Sequence, residues 1–141
     1  MAMKGSVKML IAAGMTVALL AGCSSSPKET QQASGAAQTR LELGMAYLNQ
    51  GNMEAARQNL QKAVDGAPQD YRTQLGMALY EQKNGNQKAA ESRYQQALQL
   101  APQNGTVLNN YGAFLCSLGQ YVPAQQQFSA AANAPDYGQV A

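Results

Sequence analysis

Apolar residues recur along most of the chain at helical spacing, in short runs punctuated by Gly, Asn and Pro. Leu41, Met45 and Leu48 stand at i, i+4 and i+7, with Leu43 and Tyr47 on a neighbouring face, and the run stops at Asn49-Gln50-Gly51. A second run passes through Ala56, Leu60, Ala63 and Val64 and ends before Pro68. The same pair of runs then returns. Leu75, Leu79 and Tyr80 lead to Asn84-Gly85, followed by Ala90, Tyr94, Ala97 and Leu98 up to Pro102. Leu108, Tyr111, Leu115 and Leu118 lead to Gly119, followed by Ala124, Phe128 and Ala131. Pro123 fits a helix because it falls in the first turn, where no intrahelical donor is needed. No stretch alternates with period two for long, so the pattern predicts paired helices and no sheet.

The pairs are copies of one unit. Gly51, Gly85 and Gly119 lie 34 residues apart, as do Ala56, Ala90 and Ala124, and again Ala63, Ala97 and Ala131. Pro68 and Pro102 keep the same interval, while Pro135 comes one residue early. Three columns in register across three units, and a fourth across two, define a repeat, and a 34-residue period of two helices is the signature of a stacked helical array. The units run 39–70, 71–104 and 105–138.

Within these units the sequence resembles the tetratricopeptide repeat. The first carries Leu43-Gly44-x2-Tyr47, Ala56-x3-Leu60 and Pro68; the third carries Tyr111-Gly112-x2-Leu115, Ala124-x3-Phe128 and Pro135. The second is looser, with Met77-Ala78 and Glu81 at the corresponding places, then Ala90-x3-Tyr94 and Pro102. The Trp often found early in such repeats is absent from all three. The resemblance implies an all-α solenoid of three helix-turn-helix units, in which Gly44, Ala78, Gly112, Ala56, Ala90 and Ala124 let paired helices approach closely.

The N-terminus follows another pattern. Lys4 and Lys8 precede twelve residues, Met9 to Leu20, in which Thr16 alone is polar, and small residues follow. A basic start, a short apolar core and a small-residue break describe an export signal. As a helix the core reaches about 18 Å against a hydrocarbon thickness of roughly 30 Å, too short to span. Leu20-Ala21-Gly22-Cys23 resembles the bacterial lipobox, which implies a signal peptide at 1–22 and diacylation of the Cys23 thiol. Two or three acyl chains anchor firmly where one does not. Ser24, in place of Asp, implies by the same resemblance sorting to the outer membrane, facing the periplasm. Residues 23–38 then carry the lipid and form a tether, because Ser24 to Gln38 lacks apolar periodicity; its reach is about 20 Å.

Composition narrows the chemistry. The 141 residues contain no His, no Trp and two Cys. Zero His removes the commonest general base and metal ligand, and two Cys cannot build a Cys/His zinc site. No catalytic residues, metal ligands, cofactor or small-molecule substrate are therefore expected, beyond the covalent lipid. Ten basic against eight acidic residues give +2, which makes no basic stripe for nucleic acid. Lys4 and Lys8 supply that excess; without residues 1–22 the chain holds eight of each sign.

A protein partner remains. By resemblance, first helices line a concave groove, here Gln38, Leu41, Met45 and Leu48, then Arg72, Leu75 and Leu79, then Thr106, Asn109, Asn110 and Ala113. The alternative is that some of these leucines are packed by a missing neighbouring helix. Apolar residues dominate two units and amides the third, which suits an amphipathic segment with a polar end. The seven Tyr are expected mainly in the core, and Cys116 is expected buried.

The string Asn109 to Cys116, with Leu118-Gly119-Gln120-Tyr121 and Phe128, resembles the PilF/PilW family of type IV pilus biogenesis lipoproteins, as does Asp70-Tyr71-Arg72 leading into Gln74 to Tyr80. That resemblance implies a pilotin, which helps an outer-membrane secretin localise and multimerise. The family commonly carries about six repeats, where this chain has three. A general periplasmic adaptor, for instance one docking cell-wall hydrolases, is the alternative.

Overall fold

The computed structural model describes residues 27–136, with side chains from residue 35. The export signal, Cys23, Tyr137 and the last four residues lie outside that range. Six helices follow one another: α1 (Pro27–Asn49), α2 (Met53–Gly66), α3 (Tyr71–Lys83), α4 (Gln87–Leu100), α5 (Gly105–Ser117) and α6 (Tyr121–Ala132). They pack as pairs α1/α2, α3/α4 and α5/α6, and the pairs stack in chain order. No strand occurs among the described residues.

The turn inside each pair is one device used three times. Gly51, Gly85 and Gly119 have φ of 77°, 81° and 74°, a left-handed conformation that only glycine takes without a Cβ penalty. Around each, the last turn closes with two crossed backbone bonds. Gly51 N donates to Leu48 O at 3.1 Å and Asn52 N to Tyr47 O at 2.9 Å, and the pattern recurs at Gly85/Asn86 and Gly119/Gln120. These bonds use carbonyls the helix end leaves free, so the glycine column fixes where the chain reverses.

The alanine columns fix how closely the pairs pack. Ala56, Ala90 and Ala124 are 0, 0 and 2% exposed, and Ala63, Ala97 and Ala131 are 0, 0 and 1%. Large side chains fill the space beside them: Leu60 and Met77 in one cluster, Tyr94, Phe114 and Leu115 in the other. Tyr94, Tyr111 and Phe114 join α4 to α5, with ring centroids 5.1–6.4 Å apart, in the range where offset aromatic pairs attract beyond simple burial.

The two ends of the array differ from its middle. α1 begins at Pro27, inside the segment whose lack of apolar periodicity suggests a tether. Pro suits a first helical position, the Glu, Gln and Ala that follow are good helix formers, and Ala37 is 3% exposed against Gly66 of α2. At the other end, Phe128 is 37% exposed, whereas Leu60 and Tyr94, 68 and 34 residues earlier, are fully buried under the next pair. Tyr121 and Val122 are each 69% exposed, so α6 presents apolar surface.

Candidate functional site

The first helices of successive units share one side of the stack, and the 34-residue register states which side chains meet there. Gln38, Arg72 and Thr106 correspond, as do Leu41, Leu75 and Asn109; Met45, Leu79 and Ala113; and Leu48, Gln82 and Cys116. Between α1 and α3 this side holds a hollow of about 390 Å³ lined by Met45, Leu48, Asn49, Leu79, Gln82 and Lys83. Leu48, 4% exposed, is its floor, and half-buried Met45 and Leu79 form its walls.

The rim is polar and fixed. Lys83 Nζ donates to Leu48 O at 2.7 Å, tying the end of α3 to the end of α1. Gln82 Oε1 accepts the Tyr94 hydroxyl at 2.6 Å, and burial pushes the Tyr94 phenol up to about 12. An ammonium has three donors, so Lys83 keeps capacity for an acceptor at the mouth. Such a hollow takes one apolar side chain of a peptide or helix, with a carbonyl or carboxylate reaching the rim.

The expected groove residues divide. Met45 and Leu79 stand open to a ligand. Leu41, Leu48 and Leu75 are 8, 4 and 8% exposed and lie in core clusters formed by the chain's own helices, so they are core more than contact surface. The reason is Gly76: a Cβ there would stand 2.7 Å from Leu41 Cδ1, so the missing side chain lets α1 settle directly onto α3. Leu75 is instead absorbed by the cluster containing Tyr94 and Tyr111.

At the head of the groove, Gln38 Nε2 donates to Glu42 Oε1 at 2.7 Å, and Gln38 Oε1 is closed off without a partner among the described residues. Exposed Arg72 pairs with Asp70, whose carboxylate also caps α3 by accepting Arg72 N at 2.9 Å. The hydrogen bonds from the Arg72 side chain hold the Asp70 carboxyl below its ordinary range. In the third unit the face is polar. Asn109 and Asn110 are half-buried, Asn110 Nδ2 donates to Thr106 O at 2.8 Å, and Ala113 is exposed.

Cys116 is exposed, contrary to its expected burial. A thiol is small and apolar enough for a core, but this one occupies the position of Leu48 and Gln82 on the groove side, where no described helix covers it. The 34-residue register contained that signal. Tyr80, Tyr94 and Tyr111 are core, as expected, while Tyr121 is open. No group of three His, Cys, Asp or Glu suited to a metal occurs among the described residues. Nor is any described helix long and apolar enough to cross a membrane.

Comparison with known proteins agrees with this geometry. Residues 37–70 match the tetratricopeptide repeat. The chain is 36% identical over 119 residues to an uncharacterized protein of Haemophilus influenzae, covering 84% of this chain and 66% of that one. It is 30% identical over 127 residues to the type IV pilus assembly protein PilF of Pseudomonas aeruginosa, covering 90% of this chain and 50% of PilF. The solved structure of that PilF superposes with a TM-score of 0.72 at 31% identity, over 77% of this chain and 49% of that one. The second repeat domain of Spaghetti (RPAP3), solved with an HSP90 peptide, shares the fold with a TM-score of 0.66 at 20% identity, over 75% of this chain and 98% of that one. The chain thus spans half to about two thirds of the length of the relatives it matches.

Proposed function

We propose that this chain, in which residues 37–70 match the tetratricopeptide repeat and which is 30% identical to PilF along 90% of its length, is a lipid-anchored adaptor, not an enzyme, that helps an outer-membrane secretin localise and multimerise in type IV pilus assembly. The observation that carries this reading is the open apolar hollow between α1 and α3, set in a chain homologous to PilF along 90% of its length. Repeat proteins of this kind are in general protein-interaction scaffolds, and the hollow offers what a scaffold needs: an apolar pocket on a rigid surface, with a polar rim to set register.

In this reading Cys23 carries the acyl chains, the residues after it hold the array near the periplasmic face of the outer membrane, and a secretin segment inserts an apolar side chain between Met45 and Leu79. The sequence around Cys23 supports the anchor, and the zero balance of side-chain charge after residue 22 supports short-range apolar contact over electrostatic steering. Cys23→Ser is expected to abolish processing and to move the protein out of the outer-membrane fraction; unchanged fractionation overturns the anchor.

A general periplasmic adaptor role is the second reading, favoured by a match that covers half of PilF. Pull-down from solubilised outer membranes separates the two. Enrichment of the secretin supports the first reading, and enrichment of cell-wall hydrolases without secretin supports the second.

A further inference from the structure

Between the second helices of the first two units lies a separate depression of about 360 Å³ that shares no residue with the groove hollow. Val64, Pro68 and Leu100 form an apolar wall, Gln74, Gln96 and Gln99 an amide wall, and Arg93 stands between them. Arg93 is half-buried, and its Nη1 donates to Gln74 Oε1 at 2.8 Å and to Gln96 Oε1 at 3.4 Å. Gln74 is itself fixed: it is 5% exposed and its Nε2 donates to Pro68 O at 2.8 Å. A buried amide therefore holds the guanidinium in place.

Among the described residues that cation has no acid partner. The ion pairs among the described residues are Arg57–Glu54 and Arg72–Asp70, and Arg93 meets neutral amides only. A guanidinium carries five N–H donors, and those on Nε and Nη2 have no partner among the described residues. Nε and Nη2 form the planar fork that matches a carboxylate with two parallel hydrogen bonds. The first unit has the same arginine–amide pair with its members exchanged, Arg40 on α1 donating to Asn59 on α2 at 3.0 Å. Arg40 is exposed; placing the arginine on the second helix is what brings the cation into a depression.

We propose that this depression is a second binding site, which takes the carboxylate of a glutamate or aspartate in a peptide segment, with an apolar neighbour against Val64 and Leu100. A single cation among amides suits one carboxylate and adjoining peptide groups, whereas a phosphorylated headgroup calls for several positive charges. The site is independent of the groove and of any secretin.

The test is an NMR titration of the full chain with two blocked hexapeptides that differ only in a central glutamate or glutamine ahead of a leucine. The readout is the Arg93 Nε–H resonance and the side-chain amides of Gln74 and Gln96. The glutamate peptide is expected to shift these signals saturably, with about tenfold weaker binding for the glutamine peptide and a similar loss in Arg93→Lys, which keeps charge but not the fork. If Arg93→Lys does not fold, the peptide pair on the native protein decides alone. Equal binding of both peptides, no saturable shift, or shifts produced by phosphatidylglycerol vesicles and not by peptide would each overturn the proposal.

Discussion

Leu60 occupies the space that a side chain on Gly44 would need: a Cβ at Gly44 would stand 2.7 Å from Leu60 Cγ and 3.0 Å from its backbone nitrogen. The contact locks α1 to α2 at backbone distance, and Phe128 repeats it against Gly112, where the three atoms nearest to a Cβ would all belong to the ring, the nearest at 2.8 Å.

Gly44→Ala should therefore destabilise the protein by about 1–3 kcal/mol, the usual range for overpacking, despite alanine's better helix propensity. Gly112→Ala should cost less, because Phe128 is 37% exposed and its ring can swing outward. Urea unfolding of both variants checks the order; equal losses would mean that Phe128 is held as firmly as Leu60.

Tyr94 sets an alkaline limit on stability. Its phenol is pushed up to about 12 by burial, from an ordinary 10.0. Between these values the unfolded chain gives up the proton that the folded chain keeps, so stability, complete below pH 10, falls as pH rises through the window. Tyr94→Phe should flatten that fall at a cost of about 1 kcal/mol at neutral pH for the lost bond to Gln82. Some slope should remain, since burial first and then Glu81 also raise Tyr80. Melting curves from pH 8 to 12 read both effects.

Asp136 closes the third unit onto itself. Its Oδ1 accepts Gly105 N and its Oδ2 accepts Asn104 Nδ2, each at 2.8 Å, so it finishes the N-terminus of α5 that Asn104 begins to cap through Val107 N. Asp136→Ala should cost about 1 kcal/mol and speed hydrogen exchange at Gly105 and Val107. Unchanged exchange there would show that Asn104 caps alone.

Cys116 should react with a maleimide as fast in the folded protein as in urea, given its exposure. Protection in the native state would mean that something covers the groove side of α5.

How far the sequence discloses this structure depends on what each pattern encodes. Glycine and proline columns mark chain reversals directly, so the ends of α2 to α6 were legible to within a residue or two. The start of α1 was not, because its first turns carry no apolar stripe and Ala37 is a faint contact signal. Helical spacing correctly put Leu41, Met45 and Leu48 on one side of α1. It could not tell a covered face from an open one, since that depends on Gly76 of the next unit, 35 residues away from Leu41. Cys116 is a second case: burial was expected of a lone thiol in an oxidising compartment, whereas the register aligned it with Gln82 at the groove.

The proposed role in secretin assembly meets its most direct test at the hollow. Leu79→Glu places a charge in the wall between Met45 and Lys83, on a side chain only half-buried. In a strain lacking the native gene, secretin multimers in the outer membrane should be restored by the native protein and not by Leu79→Glu at equal abundance. Normal multimers in the strain lacking the gene, or full restoration by Leu79→Glu, would contradict the account.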